Sequence, residues 1–291
     1  MSRVELLAPD WRARIERFSP ALLDDLLETA PDPARLPGTW RALDKPGLGG
    51  RERWRWTPPD RPDGPAVFVK RYRRSRIREQ WDRLLRQSAR RSRAFWEYAR
   101  AIELAEACIL APRAVGFAEV MLAGFERQSV VLLEQVAGQP FDKAWREWTA
   151  AGDPITHGPA RHDLARRLAW FVSAFHGTGL THRDLYLCHI FIERGAAGDP
   201  PRLAIIDLAR THRPRFRRMR WLLKDLSQLD ASAREIGLSR TDRLRFLRVY
   251  LGLEAGSPRV RWYCSRILRR SDWILRRIAR KQARRAVETH A

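Results

Sequence analysis

The spacing of apolar and polar positions divides the chain into a strand-rich first half and a helical second half. Leu22, Leu23, Leu26 and Leu27 fall on one side of PALLDDLLET (20–29) and predict a short amphipathic helix, which Pro31, Pro33 and Pro37 close off. RERWRW (51–56) and AVFVKRY (66–72) alternate with the period of a strand on either side of the turn sequence TPPDRPDGP (57–65), and together predict a hairpin. Residues 78–107 contain neither Gly nor Pro and predict one long helix, with Trp81, Leu84, Leu85, Ser88, Phe95, Ala99 and Ile102 near one stripe. Residues 113–118 and 128–134 predict two further strands, and AGQP (137–140) a linker.

After the linker the period changes. RHDLARRLAWFVSAFHGT (161–178) predicts an amphipathic helix that stops at Gly177 and Gly179. Two short strands follow around HIFIE (189–193) and RLAIID (202–207), joined by the turn GAAGDPP (195–201), and helices are predicted at 219–233, 240–252 and 259–287. This order predicts an α+β, bilobal protein: an N-terminal extension (1–39), a β-rich lobe with one long helix (40–136), and a mostly helical lobe ending in a basic helix (137–291).

Two segments carry candidate chemistry. THRDLYLCHIFIE (181–193) is followed by LAIIDLAR (203–210): an HRD tripeptide before a short strand, then an apolar strand ending in Asp. That succession is the catalytic-loop and metal-loop pattern of kinases. Asp184 is the candidate catalytic base, able to orient an acceptor hydroxyl and take its proton late in transfer. Asp207, at a strand end, is the candidate ligand of Mg²⁺ against the phosphates of ATP, a metal that prefers hard oxygen donors. Upstream, VFVK puts Lys70 near the end of an alternating strand, as a phosphate-binding lysine, and Glu97 is chosen over Glu103 and Glu106 as its ion-pair partner. Gly47, Gly49 and Gly50 are candidates for letting backbone N–H groups approach phosphate, although GLGG is not a full GxGxxG. The backbone from Glu134 to Val136 is the candidate contact for adenine. Each residue has a plainer reading: a turn carboxylate beside Arg183, a strand-end cap, a solvated lysine, a helix-surface glutamate. The motifs in this order outweigh those readings.

HRDLYLCHIFI, the IIDLAR strand, KDLSQLDASA and AFWEYARAIEL resemble the Kdo/WaaP lipopolysaccharide kinase family over roughly residues 40–252. The resemblance implies a kinase-like fold and ATP-dependent phosphorylation of a Kdo or heptose hydroxyl of the lipopolysaccharide inner core. It places Asp184 as base, Asp207 as metal ligand, and Lys70 with Glu97 as the phosphate-anchoring pair. His189 stands five residues after Asp184, where protein kinases carry a metal-binding Asn and the resembled family carries His. It is a candidate for metal or nucleotide contact and equally for scaffolding. Ala209 departs from the family's usual IDLHR. Asp225, in KDL, is expected to brace the catalytic-loop backbone.

Charge narrows the partners. The net charge is +22, with eleven Lys/Arg against Glu79 and Asp82 in residues 70–93, seven against no acid in 209–224, and nine against Asp272 in 266–285. Such a chain attracts polyanions: an acidic glycolipid acceptor, an anionic membrane surface or nucleic acid. No nucleic-acid-binding motif is visible, so nucleic acid is not expected. With no apolar stretch of membrane-spanning length, a membrane role is expected to be peripheral, and the resemblance implies a cytoplasmic location at the inner face of the inner membrane. The competing readings are a kinase acting on protein or another small molecule, and a non-catalytic basic module, either a pseudokinase or a nucleic-acid binder.

Overall fold

The structure, a computed structural model, describes residues 2–18, 21–28, 30, 32, 36–43, 51–73, 77–196, 199–254 and 256–290. Gly47, Gly49 and Gly50 lie outside the described residues. The chain forms two units: residues 1–137 with 204–213, and residues 138–203 with 214–291.

The first unit is built on strands β1 (Ser2–Leu7), β2 (Thr39–Ala42), β3 (Arg51–Thr57), β4 (Val67–Arg73), β5 (Ala114–Leu122) and β6 (Phe125–Glu134), in the order β1-β5-β6-β4-β3-β2. All neighbouring pairs are antiparallel. The predicted hairpin is β3–β4, with Arg53 opposite Lys70 and Trp54 opposite Val69. Alternation along β4 separates its two faces: Val67 and Val69 enter an apolar core, while Lys70 and Tyr72 point the other way. That core is closed by helices α1 (Pro9–Phe18) and α2 (Leu22–Glu28), whose Trp11, Ile15, Leu22 and Leu26 are buried against Trp56, Val115 and Val130. β1, α1 and α2 therefore supply one edge of the sheet and the cover of one face. Their polar pattern in the sequence predicts only the second of these helices.

Helix α4 (Arg93–Glu106) covers the opposite face. Ser92 caps it by accepting the Phe95 N–H at 3.1 Å, a contact worth about 1 kcal/mol. The helix expected over 78–107 is in fact two, α3 (Ile77–Arg86) and α4. The break is fixed by Arg83, which donates to the Ser88 and Arg91 carbonyls at 2.6 and 2.8 Å and so satisfies backbone the broken helix leaves open. The expected apolar stripe does not face inward: Trp81, Leu85 and Ile102 are exposed, while Gln80, Arg83, Arg93 and Glu97 are buried.

The second unit contains β7 (Gln139–Pro140), α5 (Phe141–Ala150), α6 (Gly158–Gly177), β8 (Ile190–Glu193), the start of β9 (Arg202–Ile205), and helices α7 (Arg218–Glu235), α8 (Arg240–Leu251) and α9 (Pro258–His290). β7 pairs antiparallel with β8. Gly138, at φ +82°, is needed there, because a Cβ would come within 2.2 Å of the Ile192 carbonyl. Helix α5 has no counterpart in the sequence reading. Helix α9 buries Val260, Tyr263, Ile267 and Ile274 and packs on α7 and α8. Arg234 of α7 bonds Asp272 at 2.6 Å. Trp262 and Trp273, on another side of α9, stay exposed. Among the described residues no helix is long and apolar enough to cross a membrane.

Candidate active site

In the first unit the structure brings together Lys70, Glu97 and Asp207. Lys70 Nζ donates to Glu97 Oε1 and, at 3.3 Å, to Asp207 Oδ1. Glu97 is fully buried, on the inner side of α4. Its other oxygen accepts a hydrogen bond from Tyr72 Oη at 2.9 Å. Tyr72 lies two residues after Lys70, so the pleat of β4 sends both side chains to α4. Burial works to lower the Lys70 pKa, but the carboxylates of Glu97 and Asp207 outweigh it and leave the ammonium above its ordinary value. Burial, with the Glu97 charge adding to it, pushes the Tyr72 phenol well above the usual range, so it is a donor at every working pH.

Asp207 reaches this unit because the chain returns to it after β9. Residues 204–213 are anchored by the Ile205 N–H on the Leu110 carbonyl at 2.9 Å, by Gln87 Nε2 on the Ala209 and Thr211 carbonyls at 3.0 and 3.3 Å, and by Arg213 on Glu103. Asp207 adopts φ +61°, ψ +56°, a left-handed turn that Asp tolerates better than most residues, and its carboxylate remains partly exposed. Sequence reasoning missed Tyr72 and Gln87. For Tyr72 the signal was available in its two-residue spacing from Lys70. For Gln87 there was none, since it stands in the break between α3 and α4.

Of the adenine candidates, Glu134 commits its N–H to the Arg113 carbonyl at 2.9 Å, and its side chain accepts from Trp11 Nε1 at 3.2 Å. Gln135 N–H goes to the Ala66 carbonyl at 2.7 Å. Among the described residues no hydrogen bond occupies the Val136 backbone.

In the second unit one face of α7 holds the HRD loop, residues 182–187. Asp225 accepts the backbone N–H groups of His182 and Arg183 at 2.7 and 2.8 Å. Gln228, three residues on, donates to Asp184 Oδ1 at 3.4 Å, and Ser232, four further, accepts the Leu187 N–H at 3.1 Å. Spacings of three and four put these side chains on one stripe. Arg183 is left-handed (φ +68°), a strained backbone for a non-glycine residue, and its carbonyl takes a hydrogen bond from Lys224 Nζ. Burial alone would raise the Asp225 pKa. The hydrogen bond from His176, the nearby histidines and the His182 N–H reverse that and hold the carboxyl below its ordinary value. His176 is in turn tied to Tyr250 Oη at 2.9 Å. His189 Nδ1 lies 2.7 Å from the Asp184 carbonyl; a carbonyl only accepts, so that nitrogen carries the hydrogen and Nε2 is the unprotonated nitrogen of the neutral ring. Gln228 and Ser232 were not singled out from the sequence, although KDLSQLDASA contains both.

The second unit also has a partly open pocket of about 440 Å³, lined by apolar side chains of α5, α6, α7, α8 and α9 including Trp145, Leu229, Phe246 and Ile267, with Arg161, Arg240 and Arg261 on its wall.

Against known proteins, the model of the lipopolysaccharide kinase (Kdo/WaaP) family matches residues 53–250. The lipopolysaccharide core heptose(I) kinase WaaP of Pseudomonas aeruginosa is 33% identical over 167 residues, 55% of this chain and 59% of that protein. Its namesake from Escherichia coli K12 is 31% identical over 147 residues, 48% of this chain and 53% of that protein. The chain thus matches little more than half the length of these curated relatives. A solved structure described as WaaP in complex with acyl carrier protein superposes with a TM-score of 0.64 at 25% identity, covering 92% of this chain and 98% of that one. With two thirds of its length under one family model, and that fold, this chain belongs to the lipopolysaccharide kinase (Kdo/WaaP) family.

Proposed function

We propose that this protein transfers the γ-phosphate of ATP to a sugar hydroxyl, Kdo or heptose, of the lipopolysaccharide inner core. The observation that carries the reading is Lys70, held between a fully buried Glu97 and the partly exposed Asp207. A lysine fixed in this way is a preorganised cation for phosphate, charged at working pH and costing no rearrangement when the nucleotide arrives. Val136 is the backbone position left to meet adenine. Asp184, aligned by Gln228 on a loop pinned at both ends to α7, orients the acceptor hydroxyl and receives its proton late in transfer.

Asp207 fits a magnesium ligand, as a carboxylate on a tight turn with one oxygen on Lys70 and the group still open to solvent. When bound, the metal neutralises the charge of the phosphates. His189, with Nδ1 committed to the Asp184 carbonyl, holds the loop and is the proposed further contact for nucleotide or metal. The +22 charge suits an acidic, lipid-linked acceptor and the cytoplasmic face of an anionic inner membrane.

The test is labelled ATP offered with a panel of core glycolipids and with generic proteins, wild type beside Asp184→Asn. The expected result is label on a core glycolipid and not on protein. In the variant, transfer falls on the order of a thousandfold while ATP binding is kept. Label on protein alone would move the reading to a protein kinase, and ATP binding without transfer to any acceptor would make it a pseudokinase.

The solved relative's partner and the 440 Å³ apolar pocket of the second unit together favour an acyl carrier protein as an additional partner, with its acyl chain in that pocket. Co-elution with acylated but not with unacylated carrier protein supports this, and indifference to the acyl chain removes it.

A further inference from the structure

Helix α3 is mounted with its polar side inward. Gln80 and Arg83 are only 7% and 2% exposed. Gln80 donates to the Glu126 carbonyl at 2.7 Å and accepts the Glu126 N–H at 3.2 Å. Arg83 donates to the carbonyls of Ser88, Arg91 and Gly124. Glu79 joins Arg51 at 3.1 Å and Arg93 at 2.8 Å. On the opposite side Ile77, Trp81 and Leu85, spaced i, i+4, i+8, are 75%, 56% and 76% exposed. Turning the helix to hide them would strip partners from the buried Gln80 and Arg83, so the stripe is held outward by the polar side's own bonds. Three large apolar residues in a row on an exposed helix face mark a contact surface.

The charge around the stripe decides its partner. Residues 70–93 carry eleven Lys/Arg and two acids; Lys70, Arg71, Arg83 and Arg93 are held inward, Arg86 and Arg91 are paired, and Arg78 on α3 and Arg90 just beyond it are exposed. Both acids lie on α3 and are already paired, Glu79 as above and Asp82 with Arg86. An apolar stripe with a central Trp, with the exposed arginines Arg78 and Arg90 on and just beyond the helix and both of its acids paired, matches an anionic bilayer, where the stripe enters the headgroup–acyl boundary and these arginines meet phosphate.

We propose that α3 is an interfacial helix that docks this protein on an anionic phospholipid surface through Ile77, Trp81 and Leu85. This deepens the proposed function and rests on it for the choice of a membrane, where a lipid-linked acceptor resides.

The test is co-sedimentation of the full chain with phosphatidylcholine vesicles, with and without phosphatidylglycerol, at low and high salt. Wild type binds the anionic vesicles, releases with salt and ignores the neutral ones. Trp81→Ser with Leu85→Ser, both solvent-facing, lowers anionic-vesicle partitioning at least on the order of tenfold with an unchanged melting temperature. It also leaves transfer to a delipidated, water-soluble acceptor intact. Equal binding of neutral vesicles, or full binding by the double variant, overturns the proposal. So does a wild-type dimer that the double variant dissolves, because the stripe would then be covered by a second copy. Vesicle binding through α3 without phosphorylation of any core glycolipid defeats the functional reading and leaves this one standing; the converse result does the reverse.

Discussion

Tyr72 Oη donates to the Glu97 carboxylate oxygen that Lys70 leaves open, at 2.9 Å, so a single buried carboxylate is held from two residues of the same strand. Lys70 supplies the charge that offsets the cost of burying Glu97, and Tyr72 fixes which oxygen faces the lysine. Tyr72→Phe keeps the ring under Arg93, 4.5 Å from its centroid, and removes only the hydroxyl. Losing one hydrogen bond to a charged group costs about 1.5–3 kcal/mol. We therefore expect kcat/KM for ATP to fall on the order of tenfold or more, with a lower melting temperature. Steady-state kinetics at fixed acceptor checks this, and an unchanged kcat/KM would mean that Lys70 alone positions Glu97. Because the folded pKa of Lys70 is raised, the contribution of the ion pair is complete below the unfolded value, about 10.4. It is lost as pH rises through the folded value.

Asp225 gives the opposite pH dependence. Its folded pKa is depressed, so its contribution is complete above the unfolded value of about 3.9 and is lost as pH falls through the folded one. Asp225→Asn cannot accept two N–H bonds and the His176 contact as an anion, and is expected to cost about 2–3 kcal/mol at neutral pH. Urea midpoints measured from pH 6 to pH 2.5 should drop more steeply for wild type than for the variant. Parallel curves would show that Asp225 is not the titrating brace of this loop.

The sequence makes the principal ionic pieces legible because each sits in a short local pattern. Lys70 closes an alternating run, Asp184 follows an HR pair, and Asp207 ends an apolar strand. Asp225, expected as a brace, accepts two N–H groups of the loop it was assigned to hold. What the sequence hides is set by tertiary partners. The face that α3 buries is chosen by Glu126 and Gly124 on the distant β5–β6 hairpin, so hydrophobic periodicity points to the wrong side. Residues 2–7 join the sheet through the pairing of β1 with β5, a partner more than a hundred residues away that no local pattern announces. Helix α5 follows the linker directly, without a capping side chain to mark its start.

Gln228 reaches Asp184 Oδ1 at 3.4 Å, a long hydrogen bond that orients the carboxylate without neutralising it. Gln228→Ala is expected to lower kcat on the order of tenfold and to leave ATP affinity unchanged, because Gln228 touches Asp184, the proposed base on the acceptor side. Asp184→Asn should then be no worse in the Gln228→Ala background than alone, since the two act as a unit. Additive losses would separate them.

Gln87 stands in the turn between α3 and α4, yet its amide holds the Ala209 and Thr211 carbonyls, two and four residues beyond Asp207. The left-handed turn at Asp207 is a backbone state that needs support from outside itself. Gln87, with the Ile205–Leu110 bond on the other side of the turn, supplies it. Gln87→Met keeps the length and volume of the side chain and removes both donors. The segment 207–211 should then open more often, and amide exchange there should quicken while exchange in β4 and β6 stays slow. With Asp207 as the proposed magnesium ligand, loosening it weakens that hold, so the magnesium concentration for half-maximal transfer should rise severalfold with little change in kcat at saturation. Unaltered exchange across 207–211 together with an unaltered magnesium dependence would leave the Ile205–Leu110 bond and the Lys70–Asp207 pair as the supports of this turn.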